Sequence, residues 1–457
     1  MIKAYAFFKE KISDTPIETL EKMFDALIKK MLFSVVELND NRIDPFSSFE
    51  TINNRGKDLS TLELLKNRLH FVAHKICDEG DLENLQQEIN DTYTRIYHDL
   101  RFFEDTHLGD FLKYFVAYYY GEKKDFKERL LNTAFDAHKK YDDLYDEYEK
   151  INDLLLYLSY SSKVWYFLHT LDDEELRIEI TPKMCGLLDK MRRLNALSDN
   201  AFLPLLLSLL TIQLAVRSGS ERHYTTKELE GLLEYLERFG FLIYGVAGKN
   251  TAKNEWIELA FQAFRAYRSW EDRITIEDLP TLEKNFFKGE HSGLELLEEY
   301  IHSKKNTEKW YQWGKALNYL LYEYELYHNP ETTLNFDSSI ESIEHILPQK
   351  PDQGYSAKEK NWAKSPNIVH ALGNLLLIPK NANSSLSNKP FEEKRKQYLK
   401  GSYSEKEVAK NASFGVVEIQ QRSEKLLDFL IARYRIAELV GESAIKAFKN
   451  ALLKDIE

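Results

Sequence analysis

Apolar residues recur at three- and four-residue spacing along most of this 457-residue chain, and that period commits the bulk of it to amphipathic helices packed on one another. Thr15-Pro16-Ile17-Glu18 reads as N-cap, N1 proline and N3 glutamate, opening a helix with Leu20, Phe24 and Leu27 along one stripe. Ser60 and Glu63 form a capping-box pattern ahead of Leu62, Leu65, Leu69 and Val72. The same period runs through 110–170, rich in Tyr and Phe, through 225–241, and through a closing helix over 416–435 carrying Ile419, Leu426, Leu427 and Leu430. Aromatic stripes at that spacing are core rather than platforms for stacked bases. With 43% hydrophobic and 13% aromatic residues there is material for two or three domain cores. The most apolar run, 201–216, is interrupted by Pro204, Ser208 and Gln213 and is short for a membrane span, so it reads as a buried helix. No short repeat or heptad pattern stands out.

Two short aliphatic runs break the helical period. Ser342 to Leu347 and Asn374 to Ile378, bounded by Pro348, Gly373 and Pro379, read as strands. A polar turn over 380–388 then leads into a helix over 389–399, on which Phe391, Lys394 and Tyr398 share a face. The order is strand, long loop, strand, helix. It places His345 at the end of the first strand, Asn374 at the start of the second and Asn383 at the entrance to the helical part.

Those residue types suit phosphodiester hydrolysis, which needs a base for water and a cation to offset charge on the phosphate. His345 is the candidate base. Mg²⁺ keeps several waters and takes one or two protein oxygens, so Glu344 and Asn383 would suffice as ligands. Asn374 would hold the imidazole in its reactive tautomer. His370, just ahead of the second strand, belongs at the rim. Neighbours on a regular strand point to opposite faces, so Glu344 and His345 share a site only if the strand twists or ends there.

Glu344-His345-Ile346-Leu347-Pro348-Gln349, then Gly373-Asn374-Leu375, then Asn383, resembles the HNH (ββα-metal) nuclease motif. The surrounding Leu372-Gly373-Asn374-Leu375, Asn383-Ser384-Ser385-Leu386-Ser387-Asn388 and Phe391-Glu392-Glu393-Lys394-Arg395 resemble the C-terminal nuclease domain of the GmrSD-type, modification-dependent restriction endonucleases. The resemblance implies a mainly α, multi-domain protein with a small ββα-metal nuclease motif near the C-terminus. It implies His345 as general base supported by Asn374, Mg²⁺ or Mn²⁺ on Glu344 and Asn383, and DNA phosphates on Lys394 and Arg395.

A second segment, Phe49-Glu50-Thr51-Ile52-Asn53-Asn54-Arg55-Gly56-Lys57-Asp58-Leu59-Ser60, resembles the end of that family's N-terminal domain. Gly56 permits the turn, and Asn53 and Arg55 are candidates for gripping a cofactor's anionic group, phosphate above all, near the following helix start. The family's upstream Asp-Gly-Gln-Gln-Arg element, tied to nucleotide hydrolysis, does not occur in the chain. Residues 32–38 read as a strand with no neighbouring strands to pair with. The chain is therefore expected to be a truncated or split relative, with 1–105 a remnant of the N-terminal domain, 106–330 a helical scaffold and 331–457 the nuclease domain. NTP hydrolysis by this chain alone is not expected.

The net charge of −12 opposes a polyanion at long range, but screening acts over roughly 8 Å at physiological salt, so local patches decide contact. Residues 356–410 hold eleven Lys and Arg against five Glu, a basic stretch over the candidate site. Acid concentrates instead at Asp142-Asp143, Asp146-Glu147 and Asp172-Asp173-Glu174-Glu175, expected to face solvent or a basic partner. Cys77 and Cys185 are isolated, which excludes a disulfide framework or zinc cluster and reads as two small buried apolar residues. Met1-Ile2-Lys3-Ala4-Tyr5 leads into charged residues rather than a secretion signal, so a cytoplasmic location is expected.

The leading expectation is a divalent-metal-dependent DNA endonuclease of an anti-phage restriction system, acting on DNA, including modified phage DNA, with pairing of protomers needed for any cut through both strands. One alternative is a subunit held inactive or regulatory until a separate NTP-binding chain supplies the missing N-terminal half. The other is nucleic-acid binding without hydrolysis.

Overall fold

The structure is a computed structural model that describes residues 2–13, 15–31 and 59–456, the last apart from 102, 104, 123–124, 138, 142, 173–175, 177–179, 217–223, 276–278, 280–283, 285–286, 289–291, 335–339 and 352. The expected strand over 32–38 and the candidate cofactor residues Asn53 and Arg55 lie outside the described residues. The chain divides into two compact units, Met1–Leu59 and Ser60–Glu457.

The first unit contains helices Ile2–Ser13 and Ile17–Lys29. Thr15 does not cap the second of these. Its hydroxyl donates to the Lys11 carbonyl at 2.6 Å, closing off the preceding helix, and Pro16 takes the N-cap position. Phe24 and Leu27 are exposed on this unit.

The second unit is mainly helical. Ser60 accepts from the Glu63 amide while the Glu63 carboxylate accepts from the Ser60 amide, so the expected capping box starts helix Thr61–Ile76 and buries Leu62, Leu65, Leu69 and Val72. Helix Leu203–Ala215 is buried from Leu203 to Gln213. It packs against Asp105–Tyr120, Leu144–Thr170 and Lys253–Ser269, and the aromatic stripes on these helices, Phe111, Phe115, Tyr118, Trp165 and Phe264 among them, form the core. No helix among the described residues is long and apolar enough to cross a membrane.

Thr225 and Glu228 make a second capping box, for helix Thr226–Phe239, which packs on Pro182–Ser198. Glu147, expected to face solvent or a basic partner, is buried and receives Lys139 and Lys150 of this chain at 2.8 and 3.2 Å. Cys77 and Cys185 are half-buried rather than buried.

The described residues contain one sheet, of two strands. Strand β1 is Glu341–His345 and β2 is Leu375–Pro379. They run antiparallel, with Glu344 opposite Leu376 and His345 opposite Leu375. Residues 380–386, expected as a turn, are helical (Lys380–Leu386), followed by helix Phe391–Tyr398. The closing helix, Val416–Arg433, lies across the turn that precedes β2.

Candidate functional site

The two-residue period of β1 separates Glu344 from His345. Glu344 faces the side of the hairpin where Leu376, Ile378, Phe391 and Tyr398 join one hydrophobic cluster. Its carboxylate is 4% exposed and accepts from Lys394 Nζ at 2.5 Å and from the Tyr398 hydroxyl at 3.1 Å. Lys394 is wholly buried and also donates to the carbonyls of His345 and Ile346 at 2.8 and 3.2 Å. Burial pushes the Glu344 carboxyl up and the Lys394 ammonium down, and the pairing opposes both shifts. Lys394, expected on a DNA phosphate, is thus an internal clamp on the end of β1. Its sharing a helix face with Phe391 and Tyr398 was the signal for this, since that face is the buried one.

His345 points the other way. Its Nε2 lies 3.0 Å from Nδ1 of His370, and the Tyr311 ring covers both imidazoles, 4.8 Å from His345 and 5.8 Å from His370. The Gln349 amide nitrogen is 3.4 Å from His345 Nδ1. The two histidines are each 7% exposed. Burial, reinforced by His370 and Lys394, lowers the His345 pKa to about 3, so the imidazole is neutral. Burial also lowers His370, against the pull of Glu308.

Asn374 does not hold the His345 ring. Its Oδ1 accepts from the Leu347 amide at 2.7 Å, and its Nδ2 donates to the carbonyls of Leu347 and Val369 at 2.9 and 2.7 Å. The side chain therefore ties the segment after β1 to the Pro366–Val369 helix, and the partner expected of Asn374 is His370 instead. Gly373 is required beside it. A Cβ there would lie 2.0 Å from the Ile419 carbonyl oxygen and 2.6 Å from the Ser423 nitrogen of the closing helix. Arg422 from that helix donates to the carbonyls of Gly373 and Leu375, at 2.8 and 2.7 Å.

Asn383, on helix Lys380–Leu386, donates from Nδ2 to the Ser342 hydroxyl and the Ile343 carbonyl at 2.9 and 3.1 Å. That places it alongside β1, on the face that Ser342 shares with Glu344 rather than with His345. Arg395 is half-buried and donates to the Ala409 carbonyl at 2.8 Å.

These donors do not fit a hard divalent cation as arranged. The single carboxylate expected to ligate it is neutralised by Lys394 and shielded from solvent. No group of three or more His, Cys, Asp or Glu among the described residues is placed to hold a metal ion. What the arrangement offers is a neutral imidazole at the end of a clamped strand. An incoming phosphodiester anion would raise its basicity, because a nearby negative charge favours the protonated form.

Sequence reasoning placed His370 only at the rim and missed Tyr311, Tyr398 and Arg422. Tyr311 and Arg422 lie more than thirty residues from His345, on elements whose approach only the tertiary fold decides. Compared with known proteins, residues 297–429 match the family described as GmrSD restriction endonucleases, C-terminal domain. No curated protein matches the chain. The matched span includes Tyr311, both strands, His345, His370, Asn383, Lys394 and Arg422, so the segment that clamps this imidazole pair is the part of the chain that is similar to the C-terminal domain of the GmrSD restriction endonucleases.

Proposed function

We propose that the chain is a DNA endonuclease of the HNH type, working in modification-dependent restriction. The observation that carries this reading is His345, a neutral imidazole at the carboxyl end of β1 inside the segment matched to a restriction-endonuclease domain. His345 takes a proton from water, the water oxygen forms the new bond to phosphorus, and the ester P–O bond opposite breaks. The leaving oxygen is then protonated from solvent. The partner is DNA, modified phage DNA included, and two protomers acting together would cut both strands.

The cation expected with this chemistry, Mg²⁺ or Mn²⁺, has Asn383 Oδ1 as its one expected protein oxygen to which nothing among the described residues donates. The decisive experiment digests glucosylated, methylated, phosphorothioated and plain DNA with the purified chain in Mg²⁺, Mn²⁺ or EDTA. Cleavage that disappears in EDTA supports the reading. Retention of DNA with no nicked product under any condition overturns it.

A second reading, a subunit inactive until a separate NTP-binding chain joins it, is favoured by the closure of the site: His345 is 7% exposed and Glu344 is locked to Lys394. On that reading the isolated chain leaves DNA intact and the partner restores cutting. Robust cutting by the chain alone removes it.

A further inference from the structure

The His345–His370 contact is unusual in that two buried imidazoles face each other with nitrogens 3.0 Å apart. Such a pair is stable when one ring donates and the other accepts. A bridging cation would want further ligands, and no group of three or more His, Cys, Asp or Glu among the described residues is placed to supply them. A proton shared between the two facing nitrogens satisfies both. Which ring donates follows from the surroundings. His370 presents Nδ1 to its partner, and a neutral imidazole ordinarily carries its hydrogen on Nε2, which leaves Nδ1 as an acceptor. On the other ring the Gln349 amide nitrogen lies 3.4 Å from Nδ1 and 3.5 Å from Nε2 of His345, so it does not distinguish the two nitrogens. With Nδ1 of His370 as the acceptor, the His345 hydrogen lies on Nε2. Tyr311 lies nearly parallel to His370, with 26° between the ring planes, and packs against His345 as well, so neither ring swings freely.

We propose that His370 is the positioning residue for His345, accepting its Nε2–H and so leaving Nδ1 as the ring nitrogen that carries the lone pair. The consequence for cleavage rests on the nuclease reading above; the tautomer does not.

The test uses the full chain with ¹⁵N-labelled histidine, the His345 signals being assigned by their loss in His345→Gln. In the parent, His345 shows the Nε2–H tautomer pattern. His370→Leu removes the acceptor and shifts His345 to a mixture of tautomers, whereas His370→Asn, whose carboxamide oxygen can stand near the lost Nδ1, keeps the parent pattern. Cleavage falls by about 10- to 100-fold in His370→Leu, the usual effect of losing a group that orients a functional histidine, and is largely restored in His370→Asn. An unchanged His345 pattern in a folded His370→Leu overturns the proposal whatever the cleavage rates are. If the pattern changes as stated while the parent itself never cuts DNA, His370 still positions His345 and it is the nuclease reading that fails.

Discussion

Among the described residues Lys394 has one counter-charge within reach, Glu344, and both are sealed under the hairpin. A buried ion pair adds little over a well-packed apolar pair, but losing one partner leaves the other charged and dry. Lys394→Met is therefore expected to destabilise the protein by about 3–5 kcal/mol, read as a lower urea midpoint, with Glu344→Gln/Lys394→Met regaining part of the loss. A single mutant as stable as the parent would show that the pair does not hold the strand end. His345 makes a second residue-scale prediction. Its folded pKa is near 3 while the unfolded chain binds the proton near 6.5. Between those values the unfolded state holds more protons, so stability falls on acidification from 6.5 towards 3, by at most about 1.4 kcal/mol per pH unit from this group. Urea midpoints measured down to about pH 4 should lose that share of their slope in His345→Gln. The place of His345 at the end of β1 was legible from the short aliphatic run over 342–347. Its partner was not, because His370 and Asn374 both flank β2 and only the folded turn decides which ring or amide points at the imidazole.

Among elements, the turn before β2 matters most, since the backbone of Gly373 lies directly under the Val416–Arg433 helix. Gly373→Ala would drive a methyl into the Ile419 carbonyl and the Ser423 amide, groups that cannot rotate away. The expected cost is about 1–3 kcal/mol, with loss of the Arg422 and Asn374 clamps around the site. Equal thermal stability of parent and variant would contradict this packing. Helices with chemical start signals were legible: Ser60 and Glu63 announced Thr61–Ile76. Thr15 misled because a threonine before Pro-x-Glu can equally well bond backwards to its own preceding helix. Helix Lys380–Leu386 was hidden by Asn381, Asn383, Ser384 and Ser385, which are poor helix formers. Contact with β1 and β2, including the Asn383 bonds to Ser342 and Ile343, outweighs that propensity.

At the scale of the molecule, the helical period predicted the architecture because burial of one stripe per helix is enough to specify a bundle. The Leu203–Ala215 helix, apolar all round, could only be its centre. Charge was harder to place. Of the lysines and arginines in the basic stretch over 356–410, Lys394 is spent inside the protein and Arg395 on the Ala409 carbonyl, so a raw count overstates what is left to meet DNA. The segment matched to restriction endonucleases surrounds the neutral imidazole of His345, and the central claim is that this ring performs the proton transfer. The most direct measurement compares plasmid cleavage by the purified chain and by His345→Ala at matched circular dichroism and matched DNA binding. The account predicts that the variant loses nearly all cleavage while folding and binding stay as they were. A variant that cuts as fast as the parent would contradict it.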